Sequence, residues 1–276
     1  MAEKNGDLLS LSQPNPNNVV DSPLEILSET DRNKWHGPDR LPINKKIRTF
    51  REILEAADAA DLDALTGLKN GRAFEKDFSE RISSGEPCVL LMIDANRLKL
   101  INDVFGHGGK SETEKNPTGD RFLKQLGIFL ASHAKANIDE AYRLHGDEFT
   151  MLLQNMPLDV LEKRLSEFTA LANENKNKDP LFPSMSIGVV VVDPAVSTNQ
   201  VYWTGKADQA MYMAKRKAKE NDPWKNTPSE LLSKKMKEKL SSATDKKDID
   251  GICREYFTVP TEMEIWHEKG NNTSLV

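Results

Sequence analysis

The segment His145-Gly146-Asp147-Glu148-Phe149 constrains the fold more than any other part of this 276-residue chain. A glycine–aspartate pair stands between two short apolar segments, one ending at Leu144 and one running over residues 149–153. Short apolar segments around such a pair predict a β-hairpin with the pair at its tip. Acidic residues at a hairpin tip are usually only solvated, so a function for Asp147 and Glu148 requires a second group nearby.

A second acidic residue, Asp94, directly follows a continuous apolar run at 89–93, which predicts a buried strand. Apolar spacing predicts helices over 96–105, 120–133, 157–175 and 204–219, and a further strand over 184–193. The resulting β-α-β-β-α-β order predicts a ferredoxin-like α+β fold, a four-stranded antiparallel sheet with helices on one face. In that topology the first strand lies antiparallel beside the third. We therefore expect Asp94 to meet Asp147 and Glu148 at one edge of the sheet.

Three carboxylates at one sheet edge repel each other unless a cation lies among them. Without a histidine and cysteine set at metal-ligand spacing, these oxygen ligands predict Mg²⁺, which proteins usually bind through one or two carboxylates plus substrate phosphates. Such a site suits in-line phosphoryl or nucleotidyl transfer. The basic positions at 215–217 and 219 would then hold phosphates, although a charge run of this kind is more often a solvated helix face.

Composition excludes some partners and favours a reducing setting. A net charge of −5 gives no bulk electrostatic reason to expect nucleic acid or a membrane surface. No apolar run approaches the roughly 18 residues of a membrane span, and the N-terminus lacks a secretory pattern. Cys88 and Cys253 form neither a metal motif nor a disulfide framework. We therefore expect a cytoplasmic protein.

The polar ends of the chain predict extensions around one domain. Residues 1–42, rich in Pro, Asn and Ser, predict a disordered or loosely docked arm. Residues 43–60 predict a lead-in helix that either packs on its own domain or serves as a short dimerisation helix. Asn70 is expected to cap a helix over 71–83. Residues 222–276 predict a charged helical extension that either packs against the domain or binds a protein partner.

Five sequence blocks carry a family resemblance: Asp63–Asn70, Asp94–His107, His145–Phe149, Ser186–Gly188 and Ala207–Lys215. In this order they resemble the GGDEF domain, the diguanylate cyclase family that condenses two GTP into cyclic di-GMP. His-Gly-Asp-Glu-Phe is a variant of the family signature. The resemblance implies a GGDEF-like domain at 61–221 with an insertion at 108–118, and a nucleotidyl-cyclase palm in which helices flank an antiparallel central sheet.

The resemblance also implies a role for each matching residue. Asp94, the Ala95 carbonyl and Asp147 would bind Mg²⁺, with Mn²⁺ as a substitute. Glu148 would help activate the ribose 3′-hydroxyl or support the metals. Asn102 and Asp120 would read guanine. Further catalytic or substrate contacts are expected from Lys99, His145, Gly146, Lys215 and Lys219, with Asp147 also counted as catalytic. Because one domain holds one GTP, the reaction would need a homodimer.

Several departures from the family pattern leave alternatives open. His145 stands where the family has a glycine, and Asn96 replaces a usual aspartate. The insertion at 108–118 adjoins the guanine-reading positions. In the family's inhibitory R-x-x-D motif, Ala136 replaces the arginine before Asp139. These features favour two alternatives: a degenerate domain that binds nucleotide or a partner and regulates, and a cyclase with a different nucleotide preference.

Overall fold

The computed structural model describes residues 60–108, 118–136 and 138–266. The expected arm at 1–42, all but the last residue of the expected lead-in helix at 43–60 and most of the expected insertion lie outside these residues. The described helices and strands are β1 (Lys69–Asn70), α1 (Gly71–Ser83), β2 (Cys88–Ala95), α2 (Leu98–Phe105), α3 (Gly119–His133), β3 (Glu140–His145), β4 (Glu148–Gln154), α4 (Leu158–Lys178), β5 (Met185–Val192), α5 (Gln200–Glu220), α6 (Ser229–Ser241), α7 (Lys246–Tyr256) and β6 (Glu262–Ile265).

Side chains cap helices α1 and α3 at their N-termini. The Asn70 side chain accepts a hydrogen bond from the Ala73 N–H over 3.1 Å, so α1 begins where the sequence predicts. Thr118 caps α3 in the same way, accepting from the Arg121 N–H over 3.2 Å. Both caps satisfy donors that the first helical turn leaves without intrahelical partners.

The strands form one sheet in the order β1-β3-β4-β2-β5-β6. Its middle four strands pair antiparallel, with β2 between β4 and β5, and this is the topology that the sequence predicts. Two edge strands were not predicted. The two-residue β1 pairs parallel with β3, and β6, contributed by the C-terminal extension, pairs parallel with β5. The sheet is therefore mixed and flanked by helices.

Helices cover both faces of the sheet and so flank it, as the family resemblance implies, whereas the ferredoxin-like strand order alone predicts helices on one face. Val89, Leu91 and Ile93 pack with α2, α3 and α4, while Leu90 and Met92 pack with α1 and α5. All eight residues of β2 are buried. A strand that is buried along its whole length needs cover on both sides, which is the physical reason for the second helical layer.

The C-terminal extension packs on the domain. Leu232 and Met236 of α6, with Cys253 and Tyr256 of α7, join the hydrophobic cluster that contains α2 and α4. Trp224 stacks on Tyr256 with 4.9 Å between ring centroids. Among the residues described, no helix combines the length and the apolar character needed to span a bilayer.

Candidate functional site

The three acidic residues singled out in the sequence lie at one edge of the sheet. Asp94, near the end of β2, is the register partner of Glu148 at the start of β4. Asp147 lies in the turn of the β3–β4 hairpin, and its carbonyl accepts a hydrogen bond from the Ala95 N–H over 2.9 Å. The antiparallel pairing of β2 with β4 therefore holds the hairpin tip beside the end of β2.

Asp94 is buried and faces a cation supplied by the protein itself. Its side chain is only 9% exposed, and Oδ2 accepts a hydrogen bond from Lys215 Nζ over 2.7 Å. Burial raises the pKa of the Asp94 carboxyl above its ordinary value, and the nearby Asp147 carboxylate adds to this, while the Lys215 ammonium opposes it. The carboxylate therefore lies where additional positive charge stabilises it.

The donor atoms at this edge fit a divalent cation. The carboxylates of Asp94 and Asp147 and the Ala95 carbonyl are hard oxygen ligands, which suit Mg²⁺ or Mn²⁺. Within residues 60–108, 118–136 and 138–266, no group of three or more His, Cys, Asp or Glu residues is arranged to hold a metal by itself. Two carboxylates are nevertheless enough where substrate phosphates complete the coordination.

His145 ends β3 and contacts the neighbouring acid. Its side chain is 75% exposed, and Nε2 lies 3.2 Å from Glu148 Oε2. Among the described non-glycine residues only Arg97 has a positive φ, so the backbone at His145 does not require glycine. Gly146, with φ of +51°, makes the left-handed turn at the tip. The imidazole therefore introduces no backbone strain, but it lies beside one carboxylate oxygen of Glu148.

Arg143 ties the hairpin tip to the start of the domain. Its Nε and Nη2 donate to the Gly146 carbonyl over 3.1 and 2.8 Å, and its Nη1 lies 3.1 Å from Asp63 Oδ1. Burial opposes the charge on Asp63, but hydrogen bonds from Thr66 and Arg143 outweigh it and lower the pKa of this carboxyl. The segment around Asp63 and the Gly146–Asp147 turn are therefore linked through one guanidinium group.

The two expected guanine-reading residues lie together. Asn102 on α2 faces the first turn of α3, where a Cβ at Gly119 would lie 1.8 Å from Asn102 Oδ1. Asn102 Oδ1 is buried and has no hydrogen-bond partner in the part of the chain that the structure describes. Asp120 follows Gly119 in that same turn. Asn102 and Asp120 thus both lie where α2 meets the first turn of α3, and an amide oxygen and a carboxylate are acceptors of the kind that the N–H groups of a guanine edge require.

The two ends of the insertion meet beside this pair. The Gly119 N–H donates to the Gly106 carbonyl over 3.0 Å, and the Asp120 N–H donates to the His107 carbonyl over 2.8 Å. Residues 106–107 therefore lie next to residues 119–120. Whatever the length of the insertion, these two bonds hold Asp120 next to the end of α2.

The expected phosphate-binding lysines have different surroundings. Lys215 contacts Asp94, and Lys219 lies one turn further along α5 with no ion pair among the described residues. Lys99, at the start of α2, is 61% exposed and lies 3.0 Å from Asp103 and 3.1 Å from Glu230 of α6. The contact with Glu230 was missed in the sequence because nothing in the charged C-terminal extension indicates which of its acids returns to the site.

Comparison with known proteins gives a consistent result. The family model described as "Diguanylate cyclase, GGDEF domain" matches residues 60–221. Diguanylate cyclase DosC of Escherichia coli (strain K12) is 26% identical over 197 residues, which cover 67% of this chain and 40% of DosC. Diguanylate cyclase DgcP of the same organism is 32% identical over 190 residues, covering 64% of this chain and 52% of DgcP. The chain thus spans about half or less of these relatives.

Solved structures agree on the fold. The coiled coil and GGDEF domain of DgcB from Caulobacter crescentus, in complex with c-di-GMP, superposes with a TM-score of 0.51 at 24% identity, covering 63% of this chain and 91% of that one. Diguanylate cyclase SiaD from Pseudomonas aeruginosa, in complex with its activator SiaC, gives 0.50 at 24% identity, covering 63% and 65%. These two likenesses concern the fold alone. Because the family model matches more than half of the sequence, the chain belongs to the GGDEF family of diguanylate cyclase domains.

Proposed function

We propose that this protein is a Mg²⁺-dependent diguanylate cyclase that condenses two GTP into cyclic di-GMP. The observation that carries the proposal is the sheet edge where Asp94, Asp147 and Glu148 meet. Lys215 is bound to Asp94, and Asn102 and Asp120 lie together at the contact of α2 with α3, at the base of the insertion. Nucleotidyl transfer from GTP needs carboxylates that bind a metal ion, a cation that binds phosphate and polar side chains that bind the base.

Each residue has a part in the proposed reaction. Asn102 and Asp120 orient the guanine, and Lys215 and Lys219 hold phosphate oxygens on one face of α5. Asp94, Asp147 and the Ala95 carbonyl hold Mg²⁺, which would supply charge neutralisation on the reacting phosphates. Glu148 accepts the proton of the ribose 3′-hydroxyl or supports the metal. The 3′-oxygen then bonds to the α-phosphorus of the other GTP, and the bond from that phosphorus to the pyrophosphate oxygen breaks.

The reaction requires two copies of the chain. Each domain holds one GTP, and the nucleophile of one must reach the α-phosphate of the other, so the active form is a homodimer with the two sites face to face. A step between two bound substrates gains its rate from their fixed orientation. Activity per protein should therefore fall when the protein is diluted below the concentration at which the dimer forms.

The proposal is tested by incubating the purified full chain with Mg²⁺ and GTP, with ATP, and with both, and separating the products by chromatography. Cyclic di-GMP from GTP alone supports the proposal. A product only from ATP or only from the mixture supports a cyclase with altered nucleotide choice, which the insertion beside Asp120 favours. A folded dimer that binds GTP and makes no product contradicts the proposal.

A second candidate is a degenerate domain that binds GTP or a partner and regulates. The contact of His145 with Glu148 over 3.2 Å favours it, because the imidazole competes for the carboxylate that would activate the 3′-hydroxyl. His145→Gly separates the two candidates. If the wild type is inactive and the substitution creates activity, the histidine is the block. If the wild type is active, the regulatory candidate is rejected.

A further inference from the structure

The connecting loop that directly follows the proposed metal ligands contains an unfavourable backbone conformation. Asp94 and Ala95 are the last two residues of β2, and the connecting loop to α2 consists of Asn96 and Arg97. Arg97 has φ of +70° and ψ of +16°, and it is the one non-glycine residue with a positive φ in the described parts of the chain. A left-handed conformation at a residue with a Cβ persists only where the surroundings fix it.

A residue of the C-terminal extension fixes Arg97. The Arg97 guanidinium forms an ion pair with Asp222, and the two side chains are only 18% and 5% exposed. The other oxygen of Asp222 accepts hydrogen bonds from the Trp224 N–H over 3.0 Å and the Thr258 hydroxyl over 3.3 Å. Asp222 lies just beyond the residues that the family model matches. It joins the loop to two separate parts of the extension.

Two further residues of the loop region contact the extension. The Asn96 amide nitrogen donates to the Pro260 carbonyl over 3.5 Å, and its oxygen accepts from the Ser186 hydroxyl over 2.9 Å. Lys99 lies 3.1 Å from Glu230. The extension therefore contacts the connecting loop at Asn96 and the first turn of α2 at Lys99.

The extension is itself anchored firmly enough to position this loop. Leu232 and Met236 are fully buried in the main cluster, and β6 continues the sheet beside β5. The Thr261 side chain accepts a hydrogen bond from the Met185 N–H over 3.1 Å, at the start of β5. The contacts to Asp222 and Pro260 thus come from segments whose positions are fixed by the core.

We propose that Arg97 and Asp222 are positioning residues for the metal and nucleotide site, and that residues 222–266 are needed to hold that site in its binding geometry. The buried ion pair holds the connecting loop in place and thereby keeps the end of β2, where the Ala95 N–H donates to the Asp147 carbonyl, beside the hairpin tip. The effect on turnover rests on the cyclase function proposed above. The effect on the loop itself does not, and it is measured separately.

The first measurement is hydrogen exchange of the Ala95 and Asn96 N–H groups, which donate to the carbonyls of Asp147 and Ser184 over 2.9 Å each. Asp222→Asn should raise exchange in 94–99 by about 10-fold and leave residues 88–92 of β2 unchanged. The matched control is Glu264→Gln, which removes a carboxylate that pairs the extension with Lys217 away from the loop. It should leave both segments as in the wild type.

A second variant, Arg97→Gly, tests the proposal even if Asp222→Asn fails to fold. Glycine adopts the left-handed conformation freely, so this variant loses the ion pair without adding backbone strain. It should raise exchange in 94–99 in the same way. Wild-type exchange in 94–99 in both variants, or an equal rise throughout the chain, overturns the proposal. These outcomes do not depend on whether the protein makes cyclic di-GMP.

The second measurement separates binding from turnover. If the wild type is active, Asp222→Asn should raise the KM for Mg²⁺–GTP about 10-fold or more with a smaller change in kcat. The reason is that loss of a residue that positions metal ligands typically weakens metal binding by about this factor. Glu264→Gln should leave KM unchanged. A kinetically wild-type Asp222→Asn with a loosened loop would contradict the positioning role. An inactive wild type contradicts the proposed function and leaves the exchange measurement to decide the structural part.

Discussion

The ammonium group of Lys215 lies 2.7 Å from Oδ2 of Asp94, so the buried carboxylate at the end of β2 is paired with a cation from α5. The lysine side chain is 52% exposed, which leaves it free to turn toward solvent. If Asp94 holds Mg²⁺ as proposed, the metal would compete with Lys215 for this carboxylate, and the ammonium would then be available to a phosphate. Under the proposed function, the pair would link occupation of the metal site to phosphate binding.

Lys215→Met should weaken GTP binding about 10- to 100-fold, because a charge-assisted hydrogen bond contributes roughly 1.5–3 kcal/mol. Isothermal titration calorimetry with GTP in the presence of Mg²⁺ measures the dissociation constant. Lys217→Met is the matched control, since Lys217 pairs with Glu264 instead. Equal affinities in the two variants would show that Lys215 does not bind phosphate.

Asp147→Asn should lower cyclase activity at least about 100-fold while the hairpin stays intact. The reason is that Asp147 holds the neighbouring strand through its main-chain carbonyl, which accepts from the Ala95 N–H, and the substitution leaves this bond in place. Initial rates and thermal unfolding of the variant check both parts. If activity is unchanged, Asp147 is not a metal ligand.

Gly119→Ala should damage the proposed guanine site. The added Cβ would lie 1.8 Å from Asn102 Oδ1 and displace that amide. We expect a rise of about 10-fold in the KM for GTP and a loss of about 1–3 kcal/mol in unfolding free energy. Gly205→Ala is the control, because a Cβ there has nothing within 4 Å. In α5 it should stabilise by up to about 1 kcal/mol.

Asp139, the retained acid of the family's inhibitory motif, is occupied by structural contacts. It is 3% exposed, and its two oxygens accept from the N–H groups of Gln154 and Lys135 and from Arg164, at 2.9, 3.0 and 2.6 Å. Burial alone would raise the pKa of this carboxyl, but these bonds outweigh burial and lower it. With Ala136 in place of the arginine, we expect that cyclic di-GMP does not inhibit the proposed cyclase through this motif.

Asp139→Asn should cost about 3 kcal/mol of unfolding free energy at neutral pH, because it leaves Arg164 without its charged partner. A lowered folded-state pKa means that the stabilisation is present above the unfolded-state value near 3.9 and is lost as the pH falls through the folded-state value. Urea unfolding at a series of pH values measures the difference. A difference between wild type and variant that does not shrink below about pH 4 would contradict this account.

The sequence was sufficient to predict the part of the site that depends on strand order. Once β2 lies antiparallel beside β4, register alone brings Asp94 to Glu148. The contact between Lys215 and Asp94 could not be predicted, because it depends on how α5 lies against the sheet. The continuous burial of β2 was visible as an apolar run, and it already implied that both faces are covered.

The strand and the ion pair that the C-terminal extension contributes could not be predicted from the sequence, for a different reason. Strand β6, Glu-Met-Glu-Ile, is too short to show periodicity, and it gains its partner only when β5 is in place. Asp222 is one acid in a highly charged segment, yet it is 4% exposed. Nothing local distinguishes it from its solvated neighbours. Only the tertiary contact with Arg97 gives it a role.

The central claim is tested most directly by chromatography of the products formed from GTP and Mg²⁺ at a series of protein concentrations, with Asp147→Asn as the blank. We predict that the wild type forms cyclic di-GMP at a rate per protein that falls on dilution, and that the variant forms almost none. A folded wild type that binds GTP, dimerises and forms no cyclic di-GMP at any concentration would contradict the claim.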